Sequence, residues 1–188
     1  VSPIPQTTRN AIKGIVNTSL GQLIFIDTPG YHDSDKKLNL RLKSVTESQL
    51  SDIDCVLYII DSTRATGEEE IHTAELLKNN QEKTVVAINK TDLPTAKAEA
   101  SRKFVAEHLP EIPAERIFEM SAQKDIGINE VLKGIYDISP EGQPMYDEEL
   151  YTDQDLTFRV CEVIRGEAMN RLEQELPHAL YVEVADVE

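Results

Sequence analysis

Asp27-Thr28-Pro29-Gly30 stands directly after a short β-prone run, Leu23–Ile26. A carboxylate at the carboxyl end of a strand can hold a water on Mg²⁺, and Gly30 lets a backbone N–H approach a γ-phosphate with no side chain in the way. Four specified residues match by accident in a chain of this length at a rate of ~0.1%, which makes a plain Pro-Gly turn the weaker reading. Asn89-Lys90-Thr91-Asp92 follows a second apolar run, Val85–Ile88, at the kind of position where α/β proteins put ligand-binding loops. A fixed carboxylate at Asp92 accepts from the N1–H and 2-amino groups of guanine. Adenine offers an acceptor at N1 and no 2-amino group, so such a site rejects ATP by leaving a buried carboxylate unpaired. Asn89 would brace neighbouring loops, and the Lys90 stem would lie over the base plane. Ser121-Ala122 follows the run Arg116–Met120 and can present a backbone N–H to guanine O6, a dipeptide with weight only in this order. Near the start, Gln6-Thr7-Thr8-Arg9 precedes the first β-prone run. A Thr hydroxyl here, of Thr7 or Thr8, could complete a Mg²⁺ shell when γ-phosphate is present, as an order–disorder switch.

These residues need elements to carry them. Ile12–Val16 and Leu23–Ile26 flank the polar turn Asn17–Gly21, the pattern of a β-hairpin. Leu38, Leu42 and Val45 recur at helical spacing. Cys55–Ile60 is continuously apolar, as a strand buried on both faces of a parallel sheet would be. Gly67-Glu-Glu-Glu70 opens a helix through Leu77, with its acids at the positive end of the dipole. Val85–Ile88 and Arg116–Met120 read as strands, Ala96–Leu109 and Ile128–Ile138 as helices. Strand alternating with helix predicts an α/β fold, a mostly parallel sheet with helices on both faces, and the order Thr8, Asp27, Asn89, Ser121 follows successive loops at one edge of a single sheet. Residues 139–155 carry two Pro, one Gly and six acids without apolar periodicity and read as a linker. Beyond them, Leu156, Val160, Val163, Ile164, Ala168 and Leu172 mark one face of a helix that ends before Pro177, and Leu180–Val184 alternates as a strand.

Composition limits the partners. The 188 residues carry a formal net charge of −15, with no Trp and 28% charged residues. The imbalance is concentrated: residues 1–138 hold 21 acids and 16 bases, residues 139–188 hold 13 acids and 3 bases. A surface bearing its share of that field repels nucleic acid and anionic lipid, and DNA is not an expected partner. The N-terminus has neither a basic region nor a signal-peptide core, which predicts a cytoplasmic protein. Cys55 and Cys161 are expected as two buried thiols in a reducing compartment rather than one disulfide. No Cys-x-x-Cys or His-x-His spacing points to a metal site built from side chains alone.

Taken in order, Ser2-Pro3 with Gln6-Thr-Thr-Arg9, Asp27-Thr-Pro-Gly30, Asn89-Lys-Thr-Asp92, Met120-Ser-Ala122, Glu162-Val-Ile-Arg165 and Glu175-Leu-Pro177 resemble the Era family of P-loop GTPases. The last pair separates that family from the tRNA-modification GTPases, which share the Thr-Thr-Arg and DTPG features. The resemblance implies a Ras-like GTPase domain over 1–138 without its P-loop part, a linker over 139–155, and over 156–188 the beginning of an α+β KH-type RNA-binding domain. It implies GTP and GDP as ligands, with Asn89, Lys90, Asp92, Ser121, Ala122 and Gly30 binding the nucleotide. Thr7, Thr8, Asp27, Thr28, Pro29 and Gly30 would form the switch segments. Mg²⁺ would be held by Thr8 and, through water, Asp27, and a monovalent cation would bind through P-loop residues. The implied partners are small-subunit ribosomal RNA and the small ribosomal subunit during its assembly, with room for peripheral association with the inner membrane.

The chain also departs from the family pattern. It has no G-x-x-x-x-G-K-[ST], and the loss of about four charge-assisted hydrogen bonds at ~1.5 kcal/mol each removes roughly four decades of nucleotide affinity, so this chain by itself is expected to be inactive. The G-x-x-G loop that clamps RNA backbone in KH domains is absent too, so both ends read as truncated. Gly166 and His178 stand where family members usually have an acid and an aromatic residue. Tyr31 follows Gly30 where Ras-like proteins have the glutamine that orients the attacking water, and His32 reads as a solvated loop residue, so no general base is assigned. Two other readings compete: a non-hydrolysing interaction module with a GTPase fold, and a related GTPase with a different effector domain.

Overall fold

The structure, a computed structural model, describes residues 12–27, 53–169 and 182. Two β-prone runs on either side of the polar turn at Ser19-Leu20 fold the first stretch into a hairpin. β1 (Ile12–Thr18) and β2 (Gly21–Asp27) pair antiparallel from Thr18↔Gly21 at the turn to Ile12↔Asp27 at the open end. The strands run closer to the turn than the apolar pattern indicates, because Gly21 at φ 141° takes up a conformation that side chains disfavour and Thr18 Oγ1 accepts the Leu20 N–H at 3.1 Å.

Contacts divide the chain into two units, Val1–Gly30 with Gln143–Glu188, and Tyr31–Gly142. In the first, the polar stretch after residue 142 is strapped to the hairpin. Gln22 Oε1 accepts the N–H groups of Met145 at 2.9 Å and Tyr146 at 3.0 Å, while Gln22 Nε2 donates to the Tyr146 carbonyl at 2.8 Å. Asn17 donates to the Glu148 carbonyl at 2.9 Å. The Ile15 N–H donates to the Tyr151 carbonyl at 2.9 Å, and Gly14 bridges Thr152. Lys13 Nζ lies 3.0 Å from Asp153 and 3.2 Å from the Tyr146 hydroxyl. Asp155 then caps α4 (Leu156–Met169), its carboxylate accepting the Phe158 N–H at 2.7 Å. The apolar stripe on this helix is not covered by the described residues: Leu156, Val160, Val163 and Ile164 are exposed. The strand expected over Leu180–Val184 lies outside the described residues apart from Val182, which has no regular structure. The helix expected around Leu38, Leu42 and Val45 also lies outside them.

The second unit is a parallel three-stranded sheet. β3 (Val56–Asp61), β4 (Thr84–Asn89) and β5 (Ile117–Glu119) lie in the order β3-β4-β5. The crossovers run through α1 (Glu68–Leu77) and α2 (Ala98–His108), and α3 (Ile128–Tyr136) follows β5. The register Tyr58↔Val86↔Ile117 and Ile60↔Ile88 puts one row of side chains against α1 and α2, in a core with Ala74, Leu77, Phe104, Val105 and Leu109. The opposite row, Ile59↔Ala87↔Phe118, faces α3, where Gly134 is so close that an added Cβ would lie 2.4 Å from the Phe118 ring. Helices therefore cover both faces, as expected. Among the described residues β3 pairs with β4 alone and Ile59 is 51% exposed, so the burial expected on both faces of this strand is not complete there. The described strands are the pair β1-β2 in the first unit and β3-β4-β5 in the second. Cys55 and Cys161 are free thiols, half-buried rather than buried, and burial pushes the Cys55 thiol up to about 11. Among the described residues no helix is long and apolar enough to cross a membrane.

Candidate functional site

A parallel sheet delivers successive loops to its carboxyl edge, and here β4 and β5 deliver two of the predicted motifs to one place. Asn89 ends β4 and is half-buried. Its Oδ1 accepts two backbone donors at once, the N–H of Lys90 at 2.8 Å and the N–H of Ala122 at 3.0 Å. That amide oxygen ties the Asn89–Asp92 loop to the Ser121-Ala122 loop, the bracing role expected of it. Thr91 adds a second tie, with both its N–H (3.2 Å) and its hydroxyl (3.0 Å) donating to the Met120 carbonyl. Lys90 has a positive φ of 64°, a left-handed turn that costs a non-glycine residue energy and is maintained here by these bonds.

Ser121 is buried and organises the next loop: its N–H donates to the Ile126 carbonyl at 2.9 Å, the Ile126 N–H donates back at 3.1 Å, and Ser121 Oγ accepts the Lys124 N–H at 3.2 Å. Gly127, at φ 74°, starts α3 directly beneath this loop, and a Cβ there would lie 2.3 Å from the Glu119 carbonyl oxygen. Only glycine lets α3 begin this close to the end of β5.

Asp92 is exposed, with no hydrogen-bond or ion-pair partner among the described residues. A carboxylate that reads guanine is expected to be shut off from water, and among the described residues nothing buries Asp92. The Ala122 N–H differs from expectation too: it is engaged by Asn89 rather than left open for guanine O6. Lys90 Nζ reaches Asp61 Oδ2 at 2.7 Å.

Asp61, Ser62 and Gly127 belong to this edge as well, although no motif in the sequence marks them. Ser62 is fully buried, its N–H and hydroxyl both donating to the Asn89 carbonyl at 3.1 and 2.7 Å, while its own carbonyl accepts the Lys97 N–H at 2.8 Å. It joins the ends of β3 and β4 to the start of α2. The signal available was its position, two polar residues directly after a continuous apolar strand, beside the strand that carries Asn89. The remaining predicted residues, Thr7, Thr8, Thr28, Pro29, Gly30, Tyr31 and His32, lie outside the described residues, and for Asp27 only the backbone at the end of β2 is described. Among the described residues no group of three His, Cys, Asp or Glu side chains is placed to hold a metal.

A family profile described as 50S ribosome-binding GTPase matches residues 1–90. The chain is 54% identical over 188 residues to the GTPase Era of Treponema denticola, a match covering all of this chain and 64% of that protein. Among solved structures, the crystal structure of Era in complex with MgGDPNP and nucleotides 1506–1542 of 16S ribosomal RNA matches with a TM-score of 0.82 at 28% identity, over 95% of this chain and 60% of that one. An Aquifex aeolicus Era variant bound to GDP and AlF4⁻ matches with a TM-score of 0.81 at 28% identity, over 94% of this chain and 60% of that one. The fold is that of Ras-like GTPases.

Proposed function

The chain belongs to the Era family of GTPases, and on that premise we propose that it is the base-reading and switch portion of a GTP-hydrolysing molecular switch that binds small-subunit ribosomal RNA and assists assembly of the small subunit in the cytoplasm. It spans 64% of the length of the T. denticola relative. The observation that carries the nucleotide half of this reading is the Asn89 amide oxygen, which accepts from Lys90 and Ala122 and so makes one rigid edge of two loops. On that edge Asp92 presents an unpaired carboxylate to the N1–H and 2-amino groups of guanine, and a base lying over the Lys90 stem covers it. Ser121 fixes the shape of the second loop.

Thr8 and Asp27 are the residues proposed for Mg²⁺, Asp27 through water, with Thr7, Thr28, Pro29 and Gly30 in the segments that respond to the γ-phosphate. The ion supplies charge neutralisation on the transferring phosphoryl group. No side chain is assigned as general base, and catalysis rests on positioning, Mg²⁺ and a monovalent cation. RNA binding is proposed for a KH-type domain that begins with α4. Because residues 139–188 carry 13 acids against 3 bases, the RNA-facing surface must be supplied by other, basic residues.

In the full-length protein, Asp92→Asn should weaken GTP binding by about a hundredfold and shift preference to xanthosine nucleotides, whose 2-oxo group replaces the 2-amino donor. Competition of GTP and XTP for the wild-type and variant proteins measures this, and an unchanged preference for guanine overturns the assignment.

A further inference from the structure

The lysine of the base-reading loop is already paired. Lys90 Nζ lies 2.7 Å from Asp61 Oδ2, and the other oxygen of that carboxylate accepts the Thr63 N–H at 2.9 Å and the Thr63 hydroxyl at 2.6 Å. Asp61 is the last residue of β3 and lies in register with Asn89, so the pair joins neighbouring strands at the sheet's carboxyl edge. Burial pushes the Asp61 carboxyl up, but the hydrogen bonds from Lys90 and from Thr63 outweigh it and hold the group below the usual carboxylate range. The loop backbone does not depend on this pair: Ser62 and Asn89 tie the strand ends together through main-chain carbonyls and amides. One oxygen of the Asp61 carboxylate therefore holds Thr63 and the other orients the lysine.

We propose that Asp61 is a positioning residue for guanine-nucleotide binding, tethering Lys90 Nζ so that the lysine stem lies flat beneath the base and the ammonium stays off Asp92. Lys90 stands two positions from Asp92, which has no partner among the described residues. An untethered ammonium would take up the carboxylate that the base needs, and the flexible stem would lose the fixed course on which a ring can rest. This deepens the guanine-reading role of the loop and rests on it.

The test is a double-mutant cycle on the full-length protein with fluorescent mant-GDP as the probe. Asp61→Ala should raise Kd about fivefold, the scale of a partly exposed ion pair, mainly through faster dissociation. In a Lys90→Ala background the same substitution should add nothing, because its effect runs through the lysine. Asp61→Asn keeps the side-chain volume and carries the same cycle if the alanine variant fails to fold. Losses that add, or no loss in either Asp61 variant, overturn the proposal. Asp92→Asn is measured alongside: if it moves preference to xanthosine nucleotides while the cycle is additive, only the role of Asp61 falls, and if preference does not move, the guanine reading falls and the role of Asp61 with it.

Discussion

The two units are held together by different means. In the parallel-sheet unit, Val85, Val86, Ala87 and Ile88 are fully buried, and Val86 and Ile88 lie in one cluster with Leu109 and Val105. Apolar burial fixes β4, and the polar loop at its end needs only a few bonds to hold its shape. Among the described residues of the hairpin unit Ile15 is the buried apolar side chain, while Gln22, Asn17 and Lys13 reach across to the backbone and side chains of residues 145–153. There a Pro-containing, acidic segment is held by hydrogen bonds, with little apolar burial beneath it among the described residues. The difference predicts which substitutions each unit feels: loss of methyl groups in one, loss of amides in the other.

The largest expected effect is in the sheet unit. Leu109 is fully buried at the end of α2 against the β4 row, and Leu109→Ala should cost about 3 kcal/mol through lost contacts and the cavity left behind. Urea unfolding followed through exchange of the Val86 and Ile88 amides measures it. A loss below about 1 kcal/mol would show that α2 is not anchored by this residue. A smaller effect is expected in the other unit. Gln22→Ala removes one acceptor shared by two amides and one donor, and exchange at Met145 and Tyr146 should quicken about tenfold. If those amides stay protected while an apolar truncation at Ile15 releases them, the strap is held by packing and the contrast between the units disappears.

How far the sequence discloses each unit follows from the same contrast. The strands and crossover helices of 55–138 are legible because a buried parallel strand is a continuous apolar run and its ligand loop is the first polar stretch after it. Asn89 is found for that reason, and Ser121 through its place in the order of the motifs. Ser62 is not, because a serine after a strand looks like any solvated loop residue until its hydroxyl is seen on the Asn89 carbonyl. In the hairpin unit the strands are legible as β-prone runs flanking a polar turn, but the strap is not. Side-chain amides that read main-chain groups, as Gln22 and Asn17 do, leave no periodic trace, so residues 139–155 look like a plain linker.

Tyr58 gives the smallest expected effect at neutral pH and the sharpest check on the apolar side of the contrast. Its ring belongs to the core of the sheet unit, yet its hydroxyl is buried with no hydrogen-bond partner among the described residues. A buried unpaired hydroxyl costs desolvation and returns nothing, so Tyr58→Phe should leave stability unchanged or raise it by up to ~1 kcal/mol. Burial, followed by the nearby Glu70 charge, pushes the phenol's pKa up. In the unfolded chain the phenol releases its proton near pH 10, while the folded chain retains it to higher pH. The folded state then binds more protons than the unfolded one, so stability must fall as pH rises above about 10. Tyr58→Phe should remove this contribution to the alkaline decline and leave the curve below pH 9 parallel to wild type. Urea midpoints between pH 7 and 11 decide it: a variant less stable than wild type at pH 7 would mean that the hydroxyl has a partner, and that this core, like the strap, depends on a polar contact.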